Sequence, residues 1–207
     1  MKMQKSNIVM LYSGGADSRL MIELAMRSGR VPHCVLIDYG QKHIDELGFA
    51  LVQLQELKVE SQVVKIEGLN LNSGLTGDLI EARWDNVHEM NVPGRNTIFI
   101  SLAMSIAENM GIDEIWYGPD YSDREHLFPD CYQEYVVKMN EVLAIAGSKP
   151  IKLIAPLLGM TKELIFEILD EYGITKEEMY SGYEPPERSQ EVENQLDIES
   201  KGATHEL

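Results

Sequence analysis

The sequence predicts an α/β protein whose core is a five-stranded parallel sheet with helices on both faces. Two features of the chain support this prediction. Short apolar runs, typical of strands buried on both faces, alternate with longer segments in which apolar residues recur at helical spacing. Strands that alternate with helices pair in parallel, because each helix returns the chain to the same end of the sheet through a right-handed crossover.

The first half of the chain is predicted to contain three strands and two helices. The apolar run at residues 7–12 predicts a strand, and from Asp17 the period changes to that of a helix. Gly29 and Pro32 end this helix. The remaining elements of this half are predicted as a strand at 33–38, a helix at 43–57 and a strand at 62–66.

The second half is predicted to add two strands and three helices. Residues 96–110 carry a strong amphipathic pattern and predict a long helix. Thr161, followed by Leu164 and Ile165, is typical of the start of a helix with a threonine N-cap. The remaining elements are predicted as a strand at 114–117, a helix at 132–146, a strand at 152–154 and a helix at 161–172.

The composition changes near the C-terminus and predicts the domain organisation. The chain of 207 residues suffices for one sizeable core, and we predict a single domain over residues 1–183. Within it, residues 67–91 have no regular period and are predicted to form a long functional loop, with Trp84 in the substrate pocket. Apolar residues are scarce at 184–207, which predicts an acidic, flexible tail.

Charge and cysteine usage narrow the classes of partner. The chain has 18 lysines and arginines against 34 aspartates and glutamates, a formal net charge of −16. Such a surface argues against direct binding of nucleic acid, although a local pocket can still hold a nucleotide. No apolar run approaches the roughly 20 residues of a membrane helix and no signal peptide is recognised, so we expect no membrane partner and a cytoplasmic protein. Cys34 and Cys131 do not form a CxxC pair, which excludes a local zinc knuckle.

The strongest functional signal is the segment SGGADS at residues 13–18, which joins the first strand to the first helix. A helix N-terminus presents unpaired N–H groups and a positive dipole end, and glycines let the backbone approach an anion. Ser13 and Ser18 add hydroxyl donors for phosphate oxygens. Asp17 would repel a phosphate, so it is predicted to hold Mg²⁺ or to cap the helix. The alternative is a plain glycine turn with a serine or aspartate cap.

Four further segments follow predicted strands or open predicted helices, where parallel sheets bind ligands. Arg95 is placed to pair with a phosphate or a carboxylate, and Asn96 to cap its helix or to bond a nucleobase. Lys162 is unfavourable in the first turn of a helix, which a contact with phosphate groups would explain. The segments are DYGQKH at 38–43, PGRNT at 93–97, FPDC at 128–131, and APLL at 155–158 with Thr161-Lys162.

These candidate residues also have ordinary structural interpretations. Arg95 could form a surface ion pair, His43 could be an exposed helix residue and Lys162 could be solvated. Asp38 could cap the end of a strand. Cys131 could be a small packing residue, because nothing in the sequence indicates an activated thiol.

The segment SGGADS after a strand resembles the PP-loop of the ATP pyrophosphatases, which cleave ATP between its α and β phosphates. Together with the other four segments in their order, it resembles the 7-cyano-7-deazaguanine synthase family of 7-deazapurine biosynthesis, over about Ile8 to Tyr183. The resemblance implies an adenine nucleotide alpha hydrolase-like fold. It also implies a ligase that adenylates 7-carboxy-7-deazaguanine with ATP, captures the adenylate with ammonia as an amide, and dehydrates the amide to the nitrile after a second activation.

The resemblance also implies the residues of the site, with ATP and Mg²⁺ as cofactors and a homodimer as the assembly. The expected substrates are the small 7-deazapurine carboxylate and ammonia. The residues expected to take part in catalysis are Asp17, Arg95 and Lys162. The residues expected to bind the cofactor are Tyr12, Ser13, Gly14, Gly15, Ala16, Asp17, Ser18, Asp38, Tyr39, Gln41, His43, Gly94, Arg95, Asn96, Asp130 and Lys162.

The sequence departs from the family pattern near its C-terminus. Family members carry a zinc site there, but this chain has no cysteine after Cys131, and Gly182 stands where the first zinc cysteine is expected. We therefore predict no zinc. The loss leaves open whether the product is the nitrile or the amide, and whether it serves tRNA or DNA. The alternative functions are a related enzyme of tRNA or DNA base modification, including tRNA thiolation, and a non-catalytic ATP-binding module.

Overall fold

The computed structural model describes residues 5–40, 44–67, 92, 94–125 and 128–179. The predicted loop at 67–91 lies outside these residues except for its first residue, and the predicted tail at 184–207 lies wholly outside them. The strands are β1 (Ile8–Leu11), β2 (Pro32–Asp38), β3 (Glu60–Lys65), β4 (Glu114–Trp116) and β5 (Lys152–Ile154). The helices are α1 (Ala16–Arg27), α2 (Ile44–Glu56), α3 (Arg95–Met110), α4 (Tyr121–Glu125), α5 (Gln133–Ala146) and α6 (Lys162–Glu171).

The five strands form one parallel sheet in the order β3-β2-β1-β4-β5. In the register of its centre, Val9 of β1 lies between His33 of β2 and Ile115 of β4. The chain places β2 and β3 on one side of β1 and then β4 and β5 on its other side. The strand order therefore reverses at β1. A ligand cavity is expected at the carboxyl ends of the strands beside this reversal.

Two apolar layers cover the two faces of the sheet. On one face, Met10 and Leu36 pack with residues of α1, α2 and α6, including Leu20. On the other face, Val9 and Val35 pack with residues of α3 and α5. Alternate strand residues face opposite layers, which explains why the central strand β1 is apolar along its whole length, whereas the edge strand β3 contains polar residues. The predicted fold class is thus confirmed, with helices on both faces of a five-stranded parallel sheet.

Most element boundaries lie within two residues of the predictions. Strand β3 begins at Glu60 rather than at residue 62, because Glu60 pairs with His33 and extends the ladder before the apolar residues begin. The predicted N-cap Thr161 is confirmed: its side chain accepts the Leu164 N–H at 3.4 Å. The short helix α4 and the 3₁₀ turn Pro129–Cys131 were not predicted, since neither contains a full turn of apolar repeats.

The helices in the described part of the chain are too short or too polar to cross a membrane.

Candidate active site at the carboxyl end of the sheet

The loop between β1 and α1 is shaped by two glycines with different roles. Gly14 has φ +87°, and a Cβ placed on it would lie 2.9 Å from the Ala50 Cβ on α2. Gly14 is therefore required for backbone shape and for close packing of α2. Gly15 has an extended conformation and occupies the N-cap position of α1, so Asp17 lies in the first turn and does not cap the helix.

The serines of this loop hold its two ends together. The Ser13 N–H donates to Ser18 Oγ at 3.0 Å, and the two hydroxyl oxygens lie 2.9 Å apart. The first turn of α1 is thereby tied to the end of β1. This arrangement places two hydroxyl groups beside the positive end of the helix dipole, where anions are stabilised.

A cavity of about 380 Å³ opens beside this loop at the carboxyl end of the sheet. The loop contributes Ser13, Asp17 and Ser18 to its wall, and α3 contributes Arg95 and Asn96. The predicted binding residues that line the cavity are Tyr12, Ser13, Asp17, Ser18, Tyr39, Arg95, Asn96 and Asp130. Segments far apart in the sequence are thus brought to one space, as expected for strand ends in a parallel sheet.

The remaining predicted residues lie elsewhere or outside the described chain. The predicted site residues that the structure describes but that do not line the cavity are Gly14, Gly15, Ala16, Asp38, Gly94 and Lys162. Asp38 Oδ1 accepts the Gly40 N–H at 3.1 Å, so this carboxylate closes the turn after β2. Gly94, with φ +70°, is the N-cap of α3, and Asn96 therefore does not cap that helix. Gln41 and His43 lie outside the described residues, as does Trp84.

Lys162 does not line the cavity, but it contacts Asp17, which does, and pairs with two carboxylates in all. Its Nζ donates to both oxygens of Asp17, at 2.7 and 2.6 Å, and to Asp120 Oδ2 at 2.9 Å. The two acids neutralise the lysine, which accounts for a cation in the first turn of α6 without any bound phosphate. The phosphate contact predicted for Lys162 stays a prediction.

Burial and ion pairing act against each other in this cluster. Burial raises the pKa of Asp17, and the Lys162 ammonium acts in the opposite direction. Burial disfavours the charged form of Lys162, but its contacts with Asp17 and Asp120 outweigh that cost, and its pKa is raised. Three short N–H···O contacts join the Lys162 ammonium to the two carboxyl groups, as is typical of charge-assisted hydrogen bonds.

Asp120 lies after β4 and immediately before α4, where two hydrogen bonds join it to Asp123. Its Oδ1 accepts the Asp123 N–H at 3.0 Å, and its own N–H donates to Asp123 Oδ2 at 3.0 Å, in the manner of a capping box at the start of α4. Asp120 is almost fully buried, whereas Asp123 lines the cavity, and burial raises the Asp123 pKa. The sequence places Asp120 at or after a predicted strand end, but neither Asp120 nor Asp123 was predicted to be a site residue.

Aromatic side chains form another part of the cavity wall. The Arg95 guanidinium donates to the Tyr39 hydroxyl at 3.1 Å, and the Tyr39 ring lies 5.4 Å from that of Phe99. Phe99, Tyr117 and Phe128 also line the cavity. Of these three, only Phe128 was selected from the sequence, as part of the segment FPDC. Flat apolar rings beside a fixed guanidinium are suited to a planar heterocycle that carries an anionic group.

The thiol in this region is not activated. Burial raises the pKa of Cys131 well above the ordinary thiol range, and the nearby Asp123 and Asp130 carboxylates act in the same direction. The thiol donates weakly to Asp130 Oδ1 at 3.6 Å. Cys131 therefore remains protonated at neutral pH, which agrees with its interpretation as a packing residue.

Asp17 is the residue that the sequence predicts to hold Mg²⁺, and Glu46, Asp123 and Asp130 are the other acids that line the cavity. The carboxylate oxygens and the serine hydroxyls are hard donors, which Mg²⁺ prefers, but both Asp17 oxygens already accept hydrogen bonds from Lys162. A metal at Asp17 would therefore have to share this carboxylate with Lys162 or displace the lysine. Among the described residues, no group of three or more histidine, cysteine, aspartate or glutamate side chains is arranged to hold a metal. Gly182, where zinc binding was predicted to be lost, lies outside the described residues.

Two solved structures share this fold. The U34-tRNA thiolase NcsA from Methanococcus maripaludis matches with a TM-score of 0.55 and 18% identity, over 97% of this chain and 68% of that chain. A predicted subunit of tRNA methyltransferase from Methanocaldococcus jannaschii matches with a TM-score of 0.54 and 17% identity, over 87% and 94% of the two chains. At such identities the likeness shows the fold alone.

Sequence relatives are considerably more similar. A 7-cyano-7-deazaguanine synthase from Psychromonas ingrahamii is 34% identical over 77% of this chain and 76% of its own length. A protein of the same name from Chromohalobacter salexigens is 38% identical over 87% of this chain and 75% of its own length. Residues 7–194 match the sequence profile described as "Queuosine biosynthesis protein QueC". This chain therefore belongs to the family of the queuosine biosynthesis protein QueC.

Proposed function

We propose that this protein is an ATP-dependent ligase that converts 7-carboxy-7-deazaguanine and ammonia to 7-cyano-7-deazaguanine. The relatives named 7-cyano-7-deazaguanine synthase support the product. The observation that carries the proposal is one cavity lined by Ser13, Asp17 and Ser18 of the phosphate loop together with Arg95 and aromatic rings. Such a cavity can hold a polyphosphate beside a planar ring with a carboxylate.

The proposed reaction begins with attack of the substrate carboxylate on the α phosphorus of ATP. The bond to the β phosphate breaks, pyrophosphate leaves, and an acyl adenylate forms. Ammonia then displaces AMP to give the amide. A second ATP activates the amide oxygen in the same way, again with release of pyrophosphate. The C–O bond then breaks, AMP leaves with the amide oxygen, and loss of both amide protons leaves the nitrile.

The residues of the chain would act mainly by neutralising and aligning charge. The N-terminal N–H groups of α1 and the hydroxyls of Ser13 and Ser18 would receive the departing pyrophosphate. Arg95 would bind an anionic group of the substrate or of ATP, since its guanidinium is oriented by Tyr39. Asp17 and Lys162 would exchange partners as the phosphates enter. We propose no covalent nucleophile, because burial keeps the Cys131 thiol protonated.

Mg²⁺ would supply charge neutralisation for the phosphates, with Asp17 as its protein ligand. A net charge of −16 supports a function without direct nucleic-acid binding. A homodimer remains our proposal for the assembly.

The test is to incubate the protein with ATP, Mg²⁺, an ammonium salt and 7-carboxy-7-deazaguanine, and to analyse the products by mass spectrometry. We expect AMP and pyrophosphate only when the acid is present, and a mass that corresponds to the nitrile. Accumulation of the amide would show that the reaction stops after one activation. Release of ADP and phosphate, or ATP that binds without being consumed, would refute the proposed ligase.

The matched variant for this assay is Asp17→Ala. We expect turnover to be lost while the unfolding midpoint changes little, because burial disfavours the Asp17 carboxylate and the Lys162 ammonium keeps its contact with Asp120. Normal turnover in this variant would argue strongly against the proposed position of the phosphates.

A further inference from the structure

The inference concerns Asp120, a carboxylate whose exposed fraction is only 1%. A carboxylate that is removed from water needs a cation and hydrogen-bond donors to compensate for lost hydration. Lys162 supplies the cation at 2.9 Å and the Asp123 N–H supplies a donor at 3.0 Å. Each carboxylate oxygen of Asp120 thus has a defined partner, and the geometry of Lys162 is fixed through it.

The two acids that share Lys162 are placed very differently. The Asp17 side chain is 27% exposed and lines the cavity, whereas the Asp120 side chain is 1% exposed and does not line it. Phosphates that enter the cavity would therefore compete with Asp17 for the ammonium, and not with Asp120. The capping interaction with Asp123 further keeps Asp120 in place.

We propose that Asp120 is a positioning residue: it keeps the Lys162 ammonium beside the phosphate loop when bound phosphates replace Asp17 as the partner of that lysine. This inference rests on the use of ATP in the proposed function. Asp120 itself touches neither the nucleotide nor the substrate. Its contribution comes from limiting the rotamers of a long side chain that is 40% exposed and would otherwise extend into water.

The test measures binding of α,β-methylene-ATP with Mg²⁺, because this analogue cannot be cleaved between its α and β phosphates. The variants are Asp120→Asn, which removes the charge but keeps an oxygen acceptor, Lys162→Met and the double variant. Asp170→Asn is the matched control, since it makes the same change at an exposed position of α6. Calorimetric titration gives the dissociation constants, and thermal unfolding shows that each variant is folded.

We expect Asp120→Asn to weaken binding about tenfold, as for loss of one oriented charge-assisted contact, and Asp170→Asn to change it less than about twofold. In the Lys162→Met background, Asp120→Asn should change binding by less than about twofold, because its effect passes through the lysine. Wild-type affinity in the single variant would overturn the proposal. So would an equal loss of affinity with and without the lysine.

A crystal structure of the wild-type protein with α,β-methylene-ATP tests the inference without any variant. We expect Lys162 Nζ to stay within hydrogen-bond distance of Asp120 and to contact a phosphate oxygen, with its contact to Asp17 broken. An ammonium that leaves Asp120 would overturn the inference. If the analogue binds in this way but ATP itself gives no acid-dependent release of AMP, the proposed ligase is refuted and the inference stands, so the two failures are distinguishable.

Discussion

Gly14 and Gly15, which are adjacent in the loop between β1 and α1, allow a controlled test of the fold around the site. In Gly14→Ala, the new side chain has to adopt φ near +87°, which costs about 1–3 kcal/mol for a residue other than glycine. Its Cβ would also lie 2.9 Å from the Ala50 Cβ and 3.1 Å from the Ala50 Cα, which α2 can relieve only by moving. Such overpacking typically adds about 1–3 kcal/mol.

The unfolded state offsets part of this cost, because alanine has less backbone freedom than glycine by about 0.4–1 kcal/mol. The net loss expected for Gly14→Ala is therefore about 1–6 kcal/mol, with a central value of about 3 kcal/mol. Gly15→Ala differs, since its backbone conformation suits any residue and the nearest atom to its Cβ, Ser13 Oγ, is 3.8 Å away. The poorer N-cap and the smaller unfolded-state entropy nearly cancel, and we expect a change within about 0.5 kcal/mol.

Urea unfolding followed by circular dichroism measures both changes, provided that the dependence on urea concentration is equal for the variants and the wild type. Because the same chemical change is made at two neighbouring positions, the difference between the two variants reports the backbone conformation and the packing space at Gly14. Equal losses at Gly14 and Gly15, or a Gly14→Ala protein as stable as the wild type, would refute the close approach of the loop to α2.

Three further predictions concern residues of the cavity. Arg95→Lys should lower kcat/KM about 100-fold with little change in stability, because an ammonium does not reproduce the two parallel hydrogen bonds of a guanidinium. Steady-state kinetics and urea unfolding measure the two effects, and unchanged kinetics would exclude the proposed role of Arg95. Cys131→Ala should retain kcat/KM within about threefold, and the native Cys131 thiol should react slowly with iodoacetamide because burial raises the pKa of this thiol. Loss of all activity in the variant would instead indicate a mechanism that uses the thiol. Burial raises the pKa of Asp123 in the folded protein above its unfolded value of 3.8. The contribution of Asp123 to the free energy of unfolding is therefore complete below pH 3.8 and is lost as the pH rises through the folded pKa. Asp123→Asn should therefore gain stability relative to the wild type as the pH increases through that window, and parallel pH profiles would contradict this.

The sequence predicted much of the fold because the responsible interactions are local or repetitive. A strand buried on both faces must be apolar throughout, so β1 and β2 are recognisable without knowledge of their neighbours. The loop at residues 13–18 is likewise contiguous, and its position between a strand and a helix follows from the same pattern. The order of the strands was not predicted, since it depends on where each crossover passes over the sheet rather than on any single segment.

The Lys162 cluster shows why the site could be predicted only in part. Lys162 lies 145 positions from Asp17 and 42 positions from Asp120, and no local pattern joins these residues. The sequence identified Lys162 as an unfavourable cation at a helix start, which is correct as physical chemistry. It supplied no means of choosing between phosphates and carboxylates as the compensating anion, because that choice depends on how α1, α6 and the segment after β4 come together in space.

The acidic character of the protein gives this arrangement its significance. Asp17, Asp123 and Asp130 all line the cavity, together with Glu46, whereas Arg95 is the cation among the described residues that line it. A site so constructed would repel a free polyphosphate unless positive charge could be redirected toward it. Under our proposal Lys162 would provide such a charge: it pairs with Asp17 and Asp120 in the structure, and phosphate would replace Asp17 as its partner. The acids of the site would then not oppose nucleotide binding, because Asp17 would hold the required cation until phosphate replaces it and Asp120 would keep that cation in place.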